Sequence, residues 1–126
     1  MNSIECPCGG AHYARCCAPY HQGQAAPDAQ HLMRSRYSAY VLKLEAYLLA
    51  TWHSSTRPVT LELAGDNSKW LGLQIKCGAQ QDDDHATVEF VARYKIAGRA
   101  YRLHELSRFV REGGRWYYVD GDFLGA

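Results

Sequence analysis

Four of the five cysteines fall within twelve residues, in the run CPCGGAHYARCC from Cys6 to Cys17, and this cluster constrains the N-terminus more than any other feature. Disulfides explain it poorly. Adjacent Cys16 and Cys17 could join only through a strained ring, and Cys6 and Cys8 are scarcely better placed. Four thiolates can instead close a tetrahedral shell around one zinc ion, with Pro7 and Gly9-Gly10 supplying the tight turn. Such a shell has no open position, so the ion's role would be structural rather than hydrolytic. An iron–sulfur cluster also accepts four cysteines, but its usual spacings differ. His12 and His21 read as bystanders beside four sulfurs. Cys77, far along the chain in an apolar strand pattern, reads as a buried free thiol.

The compartment matters to that argument. The start MNSIECPCGG lacks the basic and apolar segments of a signal peptide. No apolar run approaches the roughly 20 residues needed to span a bilayer. The expectation is a cytoplasmic protein, and in a reducing compartment clustered cysteines point to metal. Fourteen Lys+Arg against thirteen Asp+Glu leave a charge of +1. That balance supports neither nucleic-acid binding nor a membrane-surface role.

Residues 1–27 read as the zinc module and a linker, too short to fold without metal, and residues 28–126 as an α+β domain. Asp28 is a candidate N-cap for a helix over 29–44, with a second helix over 45–52. Residues 59–64 are ambiguous, and 70–77 reads as a strand. From Thr87 onward apolar and polar residues alternate, and Gly98-Arg99 and Gly113-Gly114 read as two-residue hairpin turns. The fold class is therefore α+β: N-terminal helices packed on one face of a curved antiparallel meander sheet.

Those turns fix an expected register. Tyr94 would face Leu103, Ala92 Glu105, Phe90 Ser107 and Val88 Phe109. Across the last hairpin Phe109 would face Tyr118, and Ser107 would face Asp120. The core face then carries Glu105, Ser107 and Asp120, with Asp122 joining if the strand runs on. Glu89 with Arg108 and Arg93 with His104 would pair on the solvated face. Two carboxylates on a core face require an explanation. Either Arg36, which lies in the apolar arc of the first helix, neutralises them, or a cavity uses Glu105 and Asp120 as an acid–base pair. Tyr37, Tyr40, Trp52, Tyr94 and Tyr118 would line its walls. A one-residue slip in either turn would move the carboxylates into water.

The N-terminal dozen resembles the SEC-C motif, the zinc module at the C-terminal tail of the SecA translocation ATPase. The likeness rests on Cys6-Pro-Cys8-Gly9, the terminal Cys16-Cys17 and Tyr13 between. The loop from Cys8 to Cys16 is one residue shorter than usual, and Gly10-Ala11 replaces the familiar Ser-Gly. The remainder resembles the YchJ family through MRSRYSAY (33–40), YLLATWH (47–53), VEFVARY (88–94), His104-Glu105 with SRFV (107–110), and WYYVDG (116–121). That resemblance implies a cone-shaped domain of the nuclear-transport-factor-two and cystatin-like type, in a family without an established activity. In SecA-like tails the module contacts the SecB chaperone or the ribosome. By analogy, residues 1–21 would dock a protein partner through Tyr13, Arg15, Tyr20 and His21. The leading expectation is a zinc-containing adaptor. The alternative is a small-molecule-binding protein or enzyme using the cone cavity.

Overall fold

The computed structural model describes residues 5–125. Three helices, α1 (Ala18–His21), α2 (Ala29–Leu42) and α3 (Glu45–Ala50), precede four strands, β1 (Lys69–Gln80), β2 (His85–Ile96), β3 (Arg99–Glu112) and β4 (Arg115–Gly125). The strands form one antiparallel sheet in the order β1-β2-β3-β4. Among the described residues no helix is long and apolar enough to cross a membrane. Helix α2 starts where expected, because the Asp28 carboxylate accepts a 2.8 Å bond from the His31 backbone N–H. It stops at Leu42, earlier than expected, where Lys43 takes a left-handed conformation (φ 58°). Residues 59–62 are irregular and lead into a 3₁₀ turn at Leu63–Gly65.

The inner sheet face meets α2. Val88, Phe90, Ala92 and Phe109 pack with Leu32, Met33 and Tyr37, in one continuous cluster that includes Cys6, Cys8 and Cys17. The cysteines of the module thus pack into the same buried cluster as α2 and the sheet. Helix α2 is buried around most of its circumference: the sheet covers one side, and the module and α3 cover Ser35, Ser38 and Ala39.

Two departures from the expected register decide what faces the core. The β2–β3 turn is Ala97-Gly98, with φ 51° and 79°, and not Gly98-Arg99. Both central residues are left-handed, the geometry that matches the twist of a two-residue hairpin. Pairing moves by two positions, so Phe90 faces Glu105 and Val88 faces Ser107. An even shift leaves every side chain on its expected face, and Glu105 and Ser107 still point inward. On the outer face Glu89 meets His104 at 2.7 Å, and Arg93 pairs with Arg102, so neither expected outer pair forms.

The second departure has the opposite effect. Gly113-Gly114 forms its turn and Phe109 faces Tyr118 as expected, but one extra residue on β4, Val119, then breaks the ladder. Beyond this bulge Asp120 pairs with Arg108, and Gly121 takes the place opposite Ser107. A one-residue bulge reverses the faces beyond it. It lies where the chain after α3 docks on the β4 edge: His53 N–H donates to Tyr118 O (2.7 Å), Thr51 O accepts from Tyr118 N–H (2.9 Å), and Thr56 Oγ1 donates to Val119 O.

Candidate metal centre and ligand cavity

The candidate metal centre is assembled by local turns. Gly9 adopts φ 104°, Gly9 N–H donates to Cys6 O, and Cys6 N–H donates to Gly10 O, both at 3.0 Å. A 3₁₀ turn at Tyr13–Arg15 then delivers Cys16 and Cys17. The four Sγ atoms all lie within 4.8 Å of one another. Separations of 3.5 Å (Cys6–Cys8), 3.5 Å (Cys8–Cys16), 3.6 Å (Cys8–Cys17) and 3.9 Å (Cys16–Cys17) bracket the ~3.8 Å expected between thiolates at ~2.3 Å from a tetrahedral ion. Cys6, Cys8 and Cys17 are buried, and Cys16 is half-buried. The residues present thus fit one four-sulfur ion. Without an ion, the hydrogen bond from Cys17 holds the Cys8 thiol down at about 4, while burial and the neighbouring sulfurs push Cys16 up to about 12. Its hydrogen bond to Cys8 and its burial push Cys17 up as well. A divalent cation held among the sulfurs would supply the positive charge that lets neighbouring thiols ionise together.

Around the sulfurs stand residues whose role the sequence did not reveal. Ser38 is fully buried on α2, and its hydroxyl donates to Cys17 Sγ at 3.2 Å and lies 3.4 Å from Cys6 Sγ. Ser35, one turn before it, lies 2.6 Å through its hydroxyl from the Tyr47 hydroxyl, and its carbonyl accepts from His21 Nε2 at 2.8 Å. His21 Nδ1 then accepts from the Tyr13 hydroxyl at 2.7 Å. Burial lowers the His21 pKa, consistent with this neutral, singly donating ring. Both serines lie on the helix face opposite the apolar arc, at about 300° and 240° from Leu32 at roughly 100° per residue, so periodicity gives no signal for their burial. Of the docking residues expected on the module, Tyr13, Tyr20 and His21 are half-buried, and Arg15 is exposed. Cys77 is exposed rather than buried, on the edge strand β1.

On the other side of α2 a cavity of about 240 Å³ opens between helix and sheet. Arg36, Tyr37 and Tyr40 from α2, Glu105 and Ser107 from β3 and Tyr118 from β4 line it. Met33, Trp52, Trp70 and Leu103 complete the wall with Phe90 and Ala92. Tyr94 stands outside, with its ring stacked 5.4 Å from that of Tyr101. Glu105 accepts a short hydrogen bond from Ser107 and lies over Gly121, where a Cβ would sit 2.7 Å from the Glu105 Cδ. Burial keeps Tyr40 and Tyr118 protonated by raising both pKa values.

The two explanations for paired core carboxylates both change. Asp120 is on the outer face, 2.6 Å from Arg108 Nε, and Asp122 is 2.8 Å from the same guanidinium. No Glu105–Asp120 acid–base pair exists. Nor does Arg36 neutralise either carboxylate: among the described residues it forms no ion pair, and Nη1 donates to Leu48 O (2.8 Å) and Thr51 Oγ1 (2.6 Å). Because the Arg108–Asp120 pair is about half-exposed and screened by water, Asp120→Asn should leave the unfolding midpoint nearly unchanged. Thermal unfolding checks this; a large fall in the midpoint would put Asp120 back on the core face.

A family model described as the middle NTF2-like domain of YchJ matches residues 28–121. A UPF0225 protein of Bordetella pertussis is 64% identical, over 93% of this chain and 91% of its own. A UPF0225 protein of Ralstonia nicotianae is 58% identical, over 95% and 92%. Among solved structures, a SEC-C motif containing protein from Rhodopseudomonas palustris superposes with a TM-score of 0.84 at 31% identity, over 97% of this chain and all of that one. A SEC-C motif containing protein from Psychrobacter arcticus gives 0.80 at 30% identity, over 97% and 84%. With the family model over residues 28–121 and relatives at 64% and 58% identity, the chain belongs to the YchJ (UPF0225) family, with a SEC-C motif ahead of an NTF2-like domain.

Proposed function

We propose that this protein binds a small molecule in the cavity between α2 and the sheet, and that a structural zinc ion held by Cys6, Cys8, Cys16 and Cys17 braces α2 as the cavity wall. The supporting observation is the cavity itself. Protein interiors are close-packed, with few voids larger than a water molecule. A space of about 240 Å³ lined mainly by aromatic rings, with convergent Arg36, Glu105 and Ser107, is the form a ligand site takes. The zinc reading draws on the sulfur spacing and on a ligand set that, among the described residues, is made of four cysteine sulfurs. Native mass spectrometry of the full-length protein, with and without chelator, tests both parts. One zinc ion per chain and a retained small molecule are expected. A chain that carries no ion, or whose Trp52 and Trp70 emission no fragment perturbs, would overturn the respective part.

A second reading, docking of a protein partner through the N-terminal module, draws on the groove beside Cys16. Among the described residues His12, Arg15, His31 and Arg34 line it and no acidic residue does, although His31 pairs with Asp28 at its edge; Arg15 and Arg34 suit an acidic partner. As the SEC-C likeness implies, a chaperone or ribosomal protein would be sought. Loss of capture by Arg15→Glu, with the fold intact, would support it.

A further inference from the structure

Arg36 lies mid-helix, only 4% exposed, yet makes no ion pair among the described residues. An uncompensated buried charge is costly, so its retention calls for a partner. Its Cζ sits 5.2 Å from the Trp52 ring centre and 4.8 Å from that of Tyr118, so aromatic rings cover the guanidinium. A guanidinium carries five N–H donors. Both donors on Nη1 are taken by Leu48 and Thr51. Three N–H donors remain on Nε and Nη2, of which the Tyr40 hydroxyl takes at most one, and no fully buried side-chain nitrogen among the described residues lacks a partner. These donors are therefore reachable, and the space Arg36 lines is the cavity. Glu105 stands on the same wall but is turned onto Ser107.

We propose, resting on the ligand-binding reading above, that the cavity takes a small aromatic monocarboxylate. The carboxylate would receive paired N–H bonds from Arg36 Nε and Nη2, in the fork geometry that suits a planar anion. Its ring would lie among Tyr37, Trp70 and Phe90. Size and charge narrow the class. The volume falls below the roughly 300–1,000 Å³ of drug-sized sites. A phosphate dianion would meet one cation with the Glu105 carboxylate nearby, so a monoanion on an apolar body fits better.

The test titrates full-length, zinc-replete protein with phenylacetate and its neutral isostere phenylacetamide, read by calorimetry and tryptophan emission. Phenylacetate should bind at least about tenfold more tightly than the amide. Arg36→Met should reduce phenylacetate to the level of the amide, and Glu105→Gln should tighten it by removing a like charge. If Arg36→Met fails to fold, Arg36→Lys, which keeps charge but loses the fork, should still weaken phenylacetate several-fold. Equal binding of acid and amide, or indifference to the Arg36 variants, would overturn the anion assignment while leaving a ligand cavity. No response to phenylacetate, phenylacetamide or indole would overturn the ligand-binding reading itself.

Discussion

Removing the metal with a chelator should lower the thermal unfolding midpoint by more than about 10 °C, and Cys17→Ser should do the same without chelator. Cys17 is 1% exposed and touches Cys8, Cys16 and the Ser38 hydroxyl. A structural zinc site in a small peptide contributes on the order of 10 kcal/mol to folding, strongly dependent on pH. Only part of that would appear here, because the larger domain has its own core. The module is nonetheless continuous with that core through Cys6, Cys8 and Cys17, so its loss exposes the flank of α2 at Ser35 and Ser38. A loss of about 3 kcal/mol or more corresponds to about 10 °C or more in a domain of this size. Gly10→Ala is a subtler probe, since a Cβ there would sit 2.6 Å from Cys16 Sγ. Pushing that sulfur out should cost metal affinity while leaving all four ligands in place. Midpoints unchanged by chelator, with zinc shown to be gone, would sink the structural role.

The same side chains show what was legible beforehand and what was not. The cysteine cluster needed only spacing, because four thiols within twelve residues admit few geometries. The Asp28 cap and the Gly113-Gly114 turn were legible because each rests on local chemistry. Asp120 was placed on the wrong face because a bulge at Val119 depends on what docks against the β4 edge, and strand alternation carries no mark of it. The Ala97-Gly98 turn was hidden for a local reason: Ala97 adopts φ 51°, a conformation more often left to glycine or asparagine. Glu105 survived that error because the shift was even. Ser35 and Ser38 were missed because helical periodicity separates apolar from polar but does not distinguish a buried hydroxyl from a solvated one. Arg36 was recognised inside the apolar arc, but its partners proved to be Leu48 O, Thr51 and two aromatic faces rather than carboxylates.

Phe109→Ala should destabilise the protein by about 3–5 kcal/mol, a fall of about 10–20 °C in the unfolding midpoint. Phe109 is 2% exposed, belongs to the core cluster beneath α2 and meets Tyr118 edge-on at 5.8 Å. The loss combines its transfer free energy with a void that rigid sheet neighbours fill poorly. Its position ties stability to the cavity. Tyr118 covers one face of Arg36 and packs on Trp52 at 5.0 Å, so Phe109 supports that wall from behind. Phe109 also immediately precedes the register shift that turns Asp120 outward. Phe109→Leu should cost less and keep the Tyr118 ring in place. If the alanine variant loses phenylacetate binding at a temperature where it remains folded, while the leucine variant keeps it, the core beneath Tyr118 is what holds the guanidinium ready for an anion. Equal binding by both folded variants would mean that Trp52 and the two Nη1 bonds are enough to hold Arg36 in place.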